Sequence, residues 1–89
     1  MTNAERITVI REKLTAALKP TFLEIADESH AHRGHAGAES GAGHFAVTLS
    51  SPLFIDQTKI ACHRLIYAAL DSMIPSEIHA LKIKVVHAA

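Results

Sequence analysis

HFAVTLSS, residues 44–51, alternates apolar with small or polar side chains from His44 through Ser50. Phe45, Val47 and Leu49 fall on one side and Ala46, Thr48 and Ser50 on the other, the pattern of a half-buried strand. Downstream, SEIHALKIKVV (76–86) ends in the same pattern, with Leu81, Ile83 and Val85 inward and Lys82 and Lys84 outward. Between the two lies a segment, roughly residues 56–73, whose stripe of Ile60, His63, Ile66, Tyr67, Leu70, Met73 and Ile74 has helical spacing. Pro52 precedes it in the turn SPLFIDQ, and Pro75 interrupts it. Neighbouring strands joined through a helix are expected to run parallel.

Upstream, TFLEIADES (21–29) places Leu23 and Ile25 around Glu24, which predicts another half-buried strand. Joined directly to residues 44–51, it is expected to be antiparallel to them. Residues 2–19 predict an amphipathic helix. Thr2 and Glu5 have capping-box spacing, Ile7, Ile10, Leu14, Ala17 and Leu18 share a face, and Pro20 ends it. The order is αββαβ, with a further helical turn near Pro75. It implies an α+β fold: a three-stranded mixed sheet with helices packed on one face, forming one domain over residues 1–89.

Composition narrows the function. A hydrophobic content of 48% argues against disorder, and no apolar run is long enough to span a bilayer. MTNAERITVIREKL is charged within six residues and has no signal-peptide core, so a cytoplasmic protein without a membrane role is expected. One cysteine, Cys62, excludes an internal disulfide and fits a reducing compartment. Nine basic residues balance nine acidic ones, which counts against a nucleic-acid binder.

The seven histidines are more telling. His30, His32 and His35 form H-x-H-x-x-H within SHAHRGHAGAESGAG (29–43), the stretch that holds all four glycines. Imidazole suits zinc, copper, nickel and iron, yet the spacing matches no closed structural zinc site and no second cysteine completes one. A solvated loop and one half of a metal site both fit. The topology supplies the other half. Parallel neighbours start at the same end of a sheet, so His79, opening the third strand, should meet His44 and the His-rich segment. By parity with Leu81, Ile83 and Val85, His79 is expected on the helix-covered face, where a structural histidine is the plainer reading. His44, at the start of its strand, and His63, on the apolar stripe, are read as structural.

No catalytic residue emerges. Cys62 lies inside the helix, and its adjacency to His63 does not put the two side chains together. DESH (27–30) holds triad residue types, but chain neighbours on a strand alternate in direction. Gly34-His35-Ala36-Gly37 spells GxxG, the string of a nucleic-acid-clamping KH loop, yet here it joins two strands.

DESHAH (27–32), HF-x-V (44–47), HRLIYAAL (63–70) and IHALKI (78–83), in this order over nearly the whole chain, resemble the BolA family. The resemblance implies a KH-like αββααβ fold. It also implies partnership with a monothiol glutaredoxin, in a heterodimer that holds a two-iron two-sulfur cluster. There the glutaredoxin cysteine and glutathione supply thiolates. The BolA-like partner supplies a C-terminal histidine, matching His79, and a loop ligand, best matched by His32, with His35 and His30 as alternatives. Alone, the chain is expected to hold no cluster. Stress-linked transcriptional control through DNA is the rival function that the resemblance implies. This sequence departs from the family where Phe-x-Gly commonly precedes the second helix, having Phe54-Ile55-Asp56 instead. Cys62 also stands where a basic residue is common.

Overall fold

The computed structural model describes residues 1–29 and 41–86. Its elements follow the expected order: α1 (Asn3–Leu18), β1 (Phe22–Asp27), β2 (Gly43–Ser50), α2 (Lys59–Leu70) and β3 (Ile78–Val85). Short 3-10 turns at Pro52–Phe54 and Asp71–Met73 flank α2, the second being the helical turn expected near Pro75. The fold is α+β, with two helices and a three-stranded mixed sheet.

The capping box closes α1 at its start. The Thr2 hydroxyl accepts from the Glu5 amide at 3.1 Å, and the Glu5 carboxylate accepts from the Thr2 amide at 2.9 Å. At the other end Lys19 takes a left-handed conformation, φ 46°, and donates its N–H to the Thr15 carbonyl. The Ser51 hydroxyl donates to the Leu18 carbonyl, satisfying another free end of the helix from the exit of β2. Ile10, Leu14 and Leu18 are buried as expected. Ala17 is exposed, because the stripe turns toward Arg6, which is buried instead.

The sheet order is β1-β2-β3, with β1 antiparallel and β3 parallel to β2. Phe45, Val47 and Leu49 form the centre of the core with Ile10, Leu14, Phe54, Ile66, Leu70 and Ile78. Burying each such side chain contributes about 1.5–3 kcal/mol. α2 starts at Lys59, three residues later than the expected boundary, because Thr58 caps it by accepting from the Ala61 amide. Its buried line is Cys62, Ile66 and Leu70, and Met73 continues it past the helix end. Ile60 and Tyr67, expected inward, are 66% and 43% exposed, since the inward face is centred on Cys62.

One correction bears on the site. Gly43 pairs with Ile78 but His44 pairs with Ala80, so the register shifts by one residue and His79 is the extra one. Ile78 therefore takes the buried position, and His79 is exposed rather than turned under the helices. Beyond the bulge, Leu81, Ile83 and Val85 resume the inward alternation as expected.

Candidate functional site

Four parts of the chain meet at one end of the sheet: the first turn of α1, the exit of β1, the start of β2 and the start of β3. The Arg6 guanidinium ties two of them. Its Nε donates to Glu77 Oε1 at 2.8 Å and its Nη1 to Asn3 Oδ1 at 2.8 Å. Asn3 Nδ2 in turn donates to Ser29 Oγ at 3.2 Å, and that oxygen also accepts from the His44 amide at 2.9 Å. The Glu28 amide donates to the His44 carbonyl at 2.8 Å, and the Gly43 amide to the Glu77 carbonyl at 3.0 Å. Gly43 fits here because it has no Cβ. An added one would stand 2.4 Å from the Phe45 ring.

On this platform the imidazoles of His44 and His79 pack together, ring centroids 5.1 Å apart and planes tilted by 48°. His44 is buried and His79 is exposed. The expected meeting of strand starts is therefore observed: His79 and His44 share one end, and the segment that carries His30, His32 and His35 in the sequence leaves from Ser29 and returns at Gly41 at that same end. His30, His32 and His35 themselves lie outside the described residues. Beside the histidine pair, a shallow hollow of about 190 Å³ is lined by Glu28, His44, Ala80 and Lys82 among others.

No group of three or more histidine, cysteine, aspartate or glutamate side chains among the described residues is placed to hold a metal ion. Among the described residues, the imidazole this end exposes is that of His79. Cys62 is 1% exposed and lines a cavity of about 310 Å³ with Gln57, Lys59, Ile83, Lys84 and Val85. Those β3 residues lie four to six positions beyond His79, about 13–20 Å along a strand. The thiol is thus away from the histidine end and under the helix. His63 is half-buried, and its buried Nε2 has no hydrogen-bond partner among the described residues. Sequence reasoning missed Arg6, Asn3, Ser29 and Glu77. The only signal for the first two is their i, i+3 spacing on α1.

Comparison with known proteins agrees with this architecture. The BolA-like protein family matches residues 14–89. The DNA-binding transcriptional regulator BolA of Escherichia coli is 44% identical over 72 residues, which is 81% of this chain and 66% of that protein. BolA-like protein 1 of mouse is 39% identical over 84% of this chain and 53% of its own length. The chain thus spans between about half and two thirds of these relatives. Among solved structures, the BolA domain of SufE1 from Arabidopsis thaliana superimposes with a TM-score of 0.80 at 37% identity, covering 92% of this chain and 91% of that one. BolA1 from the same plant gives 0.75 at 35% identity, over 90% and 88%. Matching motifs, matching strand order and matching relatives lead to one conclusion: the chain belongs to the BolA family.

Proposed function

We propose that this protein is a non-enzymatic adaptor that joins a monothiol glutaredoxin and helps hold a bridging two-iron two-sulfur cluster, in iron–sulfur trafficking or iron sensing. The observation that carries this reading is the exposed His79 ring at the sheet end where the His-rich segment begins and ends. His79 is the fixed ligand. His32 is the first choice for the second, with His35 and His30 able to stand in.

The donor set fits a shared cluster and not one held alone. Imidazoles at one end, with the only thiol buried elsewhere, leave the thiolates to a partner and glutathione. A bound cluster supplies redox and transfer chemistry, and an imidazole in place of a thiolate raises its potential and makes one ligand protonatable. The chain's own part is positional. β3 carries His79 at its start, the Arg6–Asn3–Ser29 chain fixes the strand starts around it, and the ligating nitrogen must be unprotonated. His63 and His44 serve the fold and its geometry rather than ligation. A reducing cytoplasmic setting is the compartment we propose.

Anaerobic reconstitution of the protein with a monothiol glutaredoxin, iron, sulfide and glutathione tests the assignment. His79→Ala is expected to abolish the mixed-ligand visible spectrum of the heterodimer, and His32→Ala to weaken or alter it. An unchanged spectrum after His79→Ala overturns the mechanism.

Nucleic-acid binding is the second reading. Lys82 and Lys84 project from the helix-free side of β3, Lys84 and Lys59 border one cavity, and the E. coli relative carries a DNA-binding name. Duplex binding that weakens steeply with salt and is lost in a Lys82→Ala/Lys84→Ala variant would favour it.

A further inference from the structure

We infer that His44 is a positioning residue for His79: its buried ring is the platform that sets the direction of the exposed imidazole. This inference deepens the cluster-ligand reading and rests on it. In a regular ladder, the strand's pleat and its paired neighbours decide where a side chain stands. His79 lacks that constraint, because it is the surplus residue between the Gly43–Ile78 and His44–Ala80 pairs. Its main chain sits where the ladder breaks, and its side chain is exposed with two free torsions. Among the described residues, what packs on it to orient it is the ring of His44.

His44 is built for that task. It is 5% exposed, its amide is held by Ser29 Oγ and its carbonyl by the Glu28 amide. Buried on a main chain held at both its N–H and its C=O, this ring has less freedom than its exposed neighbour. The centroid separation of 5.1 Å lies within the range of favourable aromatic pairs, and the 48° tilt is intermediate between stacking and edge-to-face. Since the ordering is done before a ligand arrives, the entropy of fixing His79 is not charged to binding. Residues behind a metal-ligating histidine that fix its ring are commonly worth roughly 10–100-fold in affinity.

The test uses the free protein and the reconstituted glutaredoxin heterodimer. In the free wild-type protein, nuclear Overhauser contacts between the two rings and a ring-current shift of the His79 ring protons are expected, and their absence overturns the proposal. In His44→Ala the His79 resonances should move to free-histidine positions, and a chelator should bleach the heterodimer cluster roughly tenfold faster. In His44→Phe, which keeps a ring but no nitrogen, both readouts should return toward wild type. If His44→Phe loses the cluster as completely as His79→Ala, His44 is a ligand and the platform role is wrong. If His44→Ala leaves shift and bleaching rate unchanged, the platform role is also wrong. Should His44→Ala fail to melt cooperatively, the wild-type and His44→Phe measurements decide. A harmless His79→Ala removes the ligand reading instead, and the ring contact is still judged by its resonance shift.

Discussion

Replacing Glu77 by glutamine tests whether the Arg6 clamp holds the site end together. The variant keeps the shape of the side chain and removes its charge, leaving a guanidinium whose side chain is 11% exposed with Asn3 as its other partner. Stranding one partner of a fully buried ion pair costs about 3–5 kcal/mol, whereas an exposed pair contributes about 0–1 kcal/mol. Glu77 is 26% exposed, so water reaches its carboxylate, and the neutral amide still accepts a weaker hydrogen bond. Both facts place the loss between the limits, at about 2 kcal/mol. For a domain of this size each kcal/mol moves the melting temperature by about 4–8 °C, so a fall of about 8–16 °C is expected. Far-UV circular dichroism during heating, with urea titration for the free energy, measures it. A loss below about 0.5 kcal/mol would refute the reasoning and reduce the pair to a surface contact. The Arg6→Met/Glu77→Leu double variant supplies the converse, since removing both charges removes both desolvation costs and should recover most of the stability.

Gly43→Ala puts a methyl group 2.4 Å from the buried Phe45 ring and 3.0 Å from Asn3 Oδ1. It should lower stability by about 1–3 kcal/mol in urea titration, and an unchanged midpoint would show that the ring can yield. Asp56 holds φ at 61°, a left-handed conformation that costs an L-residue about 1–2 kcal/mol. Since glycine brings an entropic cost of about 0.5–1 kcal/mol, Asp56→Gly should raise the unfolding free energy from urea titration slightly, by about 0.5 kcal/mol, and a fall would contradict this. The hydrogen bond from the Thr2 amide, followed by that from its side chain, lowers the Glu5 pKa from its usual 4.5. Its folded value lies below its unfolded value, so its stabilisation is present above the unfolded value and is lost as pH falls through the folded one. The gap in melting temperature between wild type and Glu5→Gln should accordingly narrow as pH drops through the carboxylate range, and a gap that widens would reverse the sign.

Much of this arrangement is legible in the residues. Alternation in 44–51 and 78–86, with a helical stripe between, implies parallel strands and so brings His44 and His79 to one end. The facing of His79 is harder to read. Parity counted back from Leu81 passes through His79, while the buried residue is Ile78, three positions from Leu81. A bulge reconciles two apolar residues at that odd spacing, and a pattern with a period of two has no symbol for it. The inward turn of α2 was obscured in a similar way. Cys62, Ile66 and Leu70 are spaced by four, but a stripe drawn through Ile60, His63 and Tyr67 is as apolar and nearly as regular. The burial of Arg6 left no local trace, since its partner Glu77 is 71 residues away.

The surplus position at the start of β3 also separates two kinds of selection. With residue 79 removed, Ile78, Ala80 and Leu81 would alternate inward, outward, inward against Gly43, His44 and Phe45 without interruption. The sheet is therefore complete without that residue, and packing imposes little demand on its identity. What occupies position 79 is free to answer to chemistry alone. In a saturation library this position should tolerate nearly every substitution when scored for folding and almost none when scored for the cluster ligation proposed for it. Ile78, one step away, should show sensitivity to both.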